Sequence, residues 1–171
     1  MSAIQPFVAI LIGSDSDLPV MQVTFDVLDK LAVPFEVKIT SAHRTPDATH
    51  AFVRDADRRG CAVFVAAAGM AAHLAGTVAG LTCKPVIGVP IDAGPLAGLD
   101  ALLSTVQMPG GIPVASVAIG KAGAKNAAYL AAQIMALGDP SLAQRVIGER
   151  RENAEVVLRK DAELQARVRK R

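Results

Sequence analysis

Phe7-Val8-Ala9-Ile10-Leu11-Ile12 runs straight into Gly13-Ser14-Asp15-Ser16-Asp17, and this stretch decides the fold. Six consecutive apolar residues leave no polar face, which marks a strand buried on both sides, the habit of parallel sheets. The glycine and the hydroxyl and carboxyl side chains after it suit a strand-to-helix turn. From Leu18 to Leu31 the apolar residues Val20, Val23, Val27, Leu28 and Leu31 recur at helical spacing, with Pro19 in the first turn.

Working outward, the same unit repeats. Phe35 to Ile39 is a second strand. Asp47 to Arg59 is a second helix, with Ala48, Ala51, Phe52 and Ala56 inward and Gly60 as its stop. Thr45 is its expected N-cap and Pro46 its first residue. Ala62 to Ala67 is strand three, and a helix follows to about Thr82. Val86 to Val89 is strand four, closed by Pro90, and Leu99 to Val106 is a short helix. Val114 to Ile119 is strand five, before an Ala-rich helix from Gly123 to Leu137. Ser141 is the expected cap of a last helix running toward Val168.

Five β-α units with short connections imply a three-layer α/β/α sandwich on a parallel five-stranded sheet. The expected order is 2-1-3-4-5, with ligands at the carboxyl ends of the strands near the switch point. The whole chain, 1–171, reads as a single α/β domain, with a core over about 7–138 and a C-terminal helix over about 141–168.

Totals narrow the class. A formal net charge of +2 is too small to argue for nucleic acid. No apolar run approaches the ~20 residues of a membrane helix, and no signal-peptide pattern opens the chain. Cys61 and Cys83 lack metal or disulfide-scaffold spacing and read as buried thiols in a reducing compartment, so the expected location is cytoplasmic.

The first three strand ends carry the chemistry. Gly13 to Asp17 suits a phosphate or ribose cradle, with hydroxyl donors beside a helix start. A carboxylate facing phosphate would repel it, so Asp17 is assigned to sugar hydroxyls. A plain cluster of capping residues is the alternative for this loop. Ser41-Ala42-His43-Arg44-Thr45-Pro46 offers a proton-transfer group in His43, a planar cation in Arg44 and a donor in Ser41. Gly69 to His73 is a small-residue turn ending in a third candidate, His73, whereas His50 lies inside a helix and reads as a surface residue. There is no GxGxxG, Walker A motif, metal-ligand spacing or Gly-x-Ser-x-Gly elbow. These residues point to a cofactor-free, metal-free site for a small phosphorylated ligand with histidine acid–base chemistry.

Gly13 to Asp17, Ser41 to Pro46, Ala71-Ala72-His73-Leu74, Pro85 to Pro90 and Val106-Gln107-Met108-Pro109-Gly110-Gly111-Ile112-Pro113 occur in order over roughly Val8 to Leu137. In this the chain resembles N5-carboxyaminoimidazole ribonucleotide mutase, the class I PurE family. The resemblance implies a carboxyl migration in purine (IMP) biosynthesis. A carbamate on the exocyclic nitrogen of an aminoimidazole ribonucleotide gives up CO2, which is recaptured at a ring carbon without ATP, biotin or metal. It further implies His43 as general acid/base; Ser14, Asp17 and Arg44 on the ribose phosphate, with Ser41 assisting; and Gly69 and His73 around the migrating carboxylate. A homo-octamer with sites at subunit contacts is part of the same expectation. The chain departs from the usual pattern at Met70, where a second glycine is common, and at Ala75, where proline is common. Neither removes a functional side chain. Two alternatives are a class II enzyme that carboxylates aminoimidazole ribonucleotide directly, which typically has Lys in place of Arg44, and a non-catalytic flavodoxin-like nucleotide-binding module.

Overall fold

The structure, a computed structural model, describes residues 5–169. Its five strands are β1 (Phe7–Ile12), β2 (Phe35–Ile39), β3 (Cys61–Gly69), β4 (Val86–Ile91) and β5 (Ala115–Ser116). Its helices are α1 (Leu18–Lys30), α2 (Pro46–Arg58), α3 (Leu74–Ala79), α4 (Leu99–Val106), α5 (Gly120–Ala136) and α6 (Pro140–Val168). All strand pairs are parallel and the order is β2-β1-β3-β4-β5, the flavodoxin-like order expected.

β1 is buried at every residue because both faces are covered. Val8, Ile10 and Ile12 join one apolar cluster with α1, α5 and the start of α6. Phe7, Ala9 and Leu11 join a second, with Val53 and Ala56 of α2 and Leu74 and Val78 of α3. The Ala-rich helix α5 packs on its own sheet: Ala124, Ala127, Ala128, Ala131 and Ala132 are all fully buried. Its small side chains let α1 approach closely enough for Thr24 Oγ1 to donate to the Ala124 carbonyl at 2.8 Å.

Several boundaries move, each for a physical reason. β4 does not close at Pro90 but runs through it to Ile91. The Gly88 carbonyl accepts from Val117 N–H on the β5 side. Pro90, two residues on, turns its nitrogen the same way and has no N–H to offer. The β4–β5 ladder therefore stops, and β5 is two residues long rather than the expected Val114 to Ile119. α3 ends at Ala79, short of Thr82, whose hydroxyl instead donates to Asp57 Oδ2 at 3.0 Å. α5 starts three residues earlier than expected, at Gly120.

α2 is rotated from its expected orientation. Thr49, Val53 and Ala56 face inward, Phe52 is half-buried, and Ala48 and Ala51 are exposed. The cause is Thr49 Oγ1, drawn against Thr40 Oγ1 at 2.8 Å. The cap of α6 is Asp139, not Ser141: its carboxylate accepts from Ser141 N and Leu142 N at 2.9 and 3.0 Å. Cys61 is buried as expected, and burial pushes its thiol up to about 11. Cys83 is exposed, because it lies in the turn that leads into β4.

Candidate functional site

Sheet order creates the site. β1 lies between β2 and β3, so the loops after all three meet over one end of the sheet. They enclose a cleft of about 400 Å³, a size suited to a small molecule. Ser14, Asp17, Ser41, His43, Arg44, Gly69 and His73 all line it.

The first loop is a single 3-10 turn, Asp15–Asp17, capped by Ser14, whose hydroxyl accepts from Ser16 N at 3.3 Å. Asp17 stands at the N-cap of α1 without a capping bond from its side chain. Its carboxylate accepts from one side chain, Ser16 Oγ at 3.2 Å, with help from the Ser14 backbone N–H, and is buried. Burial raises it above the ordinary carboxylate range, and neighbouring Asp15 adds to this. An acceptor this short of donors suits the hydroxyls of a sugar.

The second loop is held from behind. Thr45 caps α2 by backbone only; its hydroxyl accepts from Ser41 N at 2.9 Å and donates to the Ser41 carbonyl at 3.3 Å. Thr40 Oγ1 bridges Thr45 and Thr49, at 3.1 and 2.8 Å. Ser41 is thus fixed at both backbone groups. Its Oγ accepts from His43 N and Arg44 N at 3.3 and 3.2 Å, which leaves its own O–H to donate forward. The Arg44 guanidinium lines the cleft and has no hydrogen-bond or ion-pair partner among the described residues. A free planar cation on the cleft wall suits an anionic group such as phosphate.

The third loop brings His73 to His43. His43 Nε2 and His73 Nδ1 are 2.8 Å apart, with the rings edge to face. Two imidazolium ions have only donors to offer, so this bond requires that at least one ring be neutral. The pair therefore keeps a lone pair and a proton side by side, which is what a group that both gives and takes a proton needs. Gly69 is required by packing: a Cβ there would come 2.7 Å from the Ala93 Cβ. His50, as expected, does not line the cleft.

Three contributions escaped the sequence reading. Ala93 joins the wall because β4 runs on through Pro90. Ser16 donates to Asp17. Thr40, Thr45 and Thr49 form the backing of the histidine loop, and their spacing across a strand end and the next helix turn was the available signal. No group of three metal-ligating side chains occurs among the described residues, and no described helix is long and apolar enough to cross a membrane.

A family model described as AIR carboxylase matches residues 7–156. N5-carboxyaminoimidazole ribonucleotide mutase of Bacillus subtilis (strain 168) is 54% identical over 149 residues, covering 87% of this chain and 91% of the relative. Its namesake from Synechocystis sp. is 51% identical over 165 residues, covering 96% and 93%. Among solved structures, Treponema denticola PurE superposes with a TM-score of 0.83 at 30% identity, covering 93% of this chain and 98% of that one.

Proposed function

The chain belongs to the AIR carboxylase family, and we propose that the cleft over β1, β2 and β3 is where it acts, with His43 as the acid–base group. Its activity is the interconversion of N5-carboxyaminoimidazole ribonucleotide and 4-carboxy-5-aminoimidazole ribonucleotide, an isomerisation in purine biosynthesis. The observation that carries the assignment to this cleft is the His43–His73 pair beside an unpaired Arg44.

The residues divide the work by chemistry. Arg44 and the free O–H of Ser41 hold the phosphate, with Ser14 beside them. Asp17 accepts from the ribose hydroxyls. His43 donates a proton to the exocyclic nitrogen as its bond to the carboxyl carbon breaks. That bond's electron pair stays on nitrogen and CO2 departs. The ring carbon then attacks CO2, and His43 removes the ring proton, which restores aromaticity. The proton spent in the first step returns in the second, so no net acid or base is consumed. His73 fixes the His43 ring through the 2.8 Å bond and faces the migrating carboxylate. Gly69 lets that end of the cleft pack closely on Ala93.

The same reading has the protein in the cytoplasm as a homo-octamer with sites at subunit contacts. Support comes from apolar side chains left in solvent: Leu99, Leu103 and Val106 on one face of α4, and Val157, Leu158, Leu164 and Val168 on α6. Sedimentation of the purified chain tests it; a monomer at working concentration overturns it.

The deciding experiment follows ultraviolet absorbance without ATP or metal. Fast conversion of the carbamate, with only slow carboxylation of aminoimidazole ribonucleotide at high bicarbonate, is the expected outcome. Efficient direct carboxylation would instead make the chain a CO2-using carboxylase.

A further inference from the structure

Part of the cleft lining is built from Ala68, Gly69, Ala71 and Ala93, all small. Met70 interrupts it. It lines the cleft, is 58% exposed, and adopts φ 55°, the left-handed region that side chains rarely enter. That conformation costs a residue with a Cβ about 1–2 kcal/mol. Such strain persists only where the surroundings hold it. Here Gly69, next in the chain, is locked against Ala93, where a Cβ would come within 2.7 Å of the Ala93 Cβ, and the Met70 side chain passes beside Gly94. The other large apolar residue of the wall, Leu74, is only 2% exposed and belongs to the core. Met70 is therefore the one long apolar side chain that stands free in the cleft.

We propose that Met70 is a retention residue: its flexible side chain covers the small-residue end of the cleft and keeps released CO2 from escaping before the ring carbon captures it. The inference rests on the carboxyl-migration reading. CO2 is small, uncharged and weakly held by hydrogen bonds, so an apolar cover is the suitable barrier. A thioether chain with three rotatable bonds can fill that space and still swing aside for the nucleotide. No atom of Met70 takes part in bond making. Its effect is on the partition of one intermediate: recapture gives the carbon-carboxylated product, and escape gives aminoimidazole ribonucleotide and free CO2. The first is an isomerisation with no net proton change; the second is a decarboxylation that consumes one proton, delivered by His43 and regained by it from water.

The test supplies the unlabelled carbamate substrate in buffer equilibrated with 13C-labelled CO2 and samples early turnover. Two quantities are read, after subtraction of an enzyme-free blank: 13C in the product carboxylate, and aminoimidazole ribonucleotide released. Wild type should keep mostly its own carboxyl carbon. Met70→Gly and Met70→Ala should raise both quantities several-fold, with KM for the carbamate little changed. Met70→Leu, which keeps apolar bulk, should stay near wild type. Met70→Gly also relieves the backbone cost, so its melting temperature should equal or exceed that of wild type. If Met70→Gly fails to fold, Met70→Ala reads the same partition. Label entry and release equal to wild type in the folded variants would overturn the role of Met70 alone. A wild-type protein that converts no carbamate would sink the underlying reading instead.

Discussion

Two carboxylates are buried among the described residues, Asp17 on the rim of the cleft (6% exposed) and Glu149 where α6 seats on the body (8% exposed), and they have opposite fates. Glu149 has two hydrogen-bond donors at Oε1 and an ion-pair partner at Oε2. Lys30 of α1 pairs with it, Tyr129 OH of α5 donates to it at 2.9 Å, and Asn153 Nδ2 donates at 3.2 Å. The Lys30 ammonium above all holds its carboxyl below the usual range. Asp17 has one hydroxyl donor from its neighbour, and burial pushes it up. The α6 seat draws its partners from within the fold and is structural. The rim is left short of partners, which is the mark of a place that waits for a ligand.

Changes on the rim should therefore strike function, and changes at the seat should strike stability. The largest expected effect is that of His43→Asn. Turnover should fall by roughly 10²–10⁴-fold, the usual worth of a positioned acid–base group, while product affinity measured by titration stays within about tenfold. Near-normal turnover would remove His43 from the reaction. Arg44→Ala comes next. Loss of a charged hydrogen bond to phosphate, about 1.5–3 kcal/mol, should raise KM by roughly 10–100-fold. An unchanged KM would break the phosphate assignment.

At the seat, Glu149→Ala leaves Tyr129 OH and Asn153 without their shared acceptor. Urea denaturation should show a loss of about 1–3 kcal/mol at neutral pH, with turnover of the folded protein little changed. The pH sign follows from the lowered carboxyl. The folded protein binds this proton more weakly than the unfolded chain, so the stabilisation is full above the unfolded value of 4.5 and is lost as pH falls through the lower folded value. The smallest stability effect belongs to Asp17→Asn, with the opposite sign. A raised carboxyl destabilises the fold while ionised, and that penalty is relieved as pH falls through its folded value from above. Asp17→Asn should hold or raise the melting temperature at pH 7 and raise it less at pH 4, while weakening substrate binding. A drop in melting temperature at neutral pH would erase the contrast between the two carboxylates.

α6 extends the comparison. Its first part is anchored by buried Leu142, Val146 and Glu149, yet from Arg150 to Arg169 every residue is exposed. A helical stretch of that length is marginal alone in water. It is the part of the chain whose packing its own fold does not complete.

Much of this was legible in the residues. The continuous run Phe7 to Ile12 identified a parallel strand because only burial on both faces tolerates it. Helical spacing over Leu18 to Leu31 and the proline-led start at Pro46 located α1 and α2 within about a residue. Where the reading failed, a distant partner had decided. Ala48 and Ala51 face solvent because Thr40, on another element, draws Thr49 inward. β5 is short because Pro90, on the neighbouring strand, withholds an N–H.

The sequence by itself determined the alternation of strands and helices, the polar loops that end the first three strands, and the family to which those loops belong. Both periodicity and turn chemistry act over a few residues, so they are written locally. Only the tertiary structure decided that His43 meets His73 at 2.8 Å across thirty residues, that Asp17 is buried with a single hydroxyl donor from its neighbour, and that Met70 stands in the cleft in a strained backbone. Each of those depends on which strands are neighbours and in what register. Register is set by the summed packing of both apolar clusters rather than by any one segment.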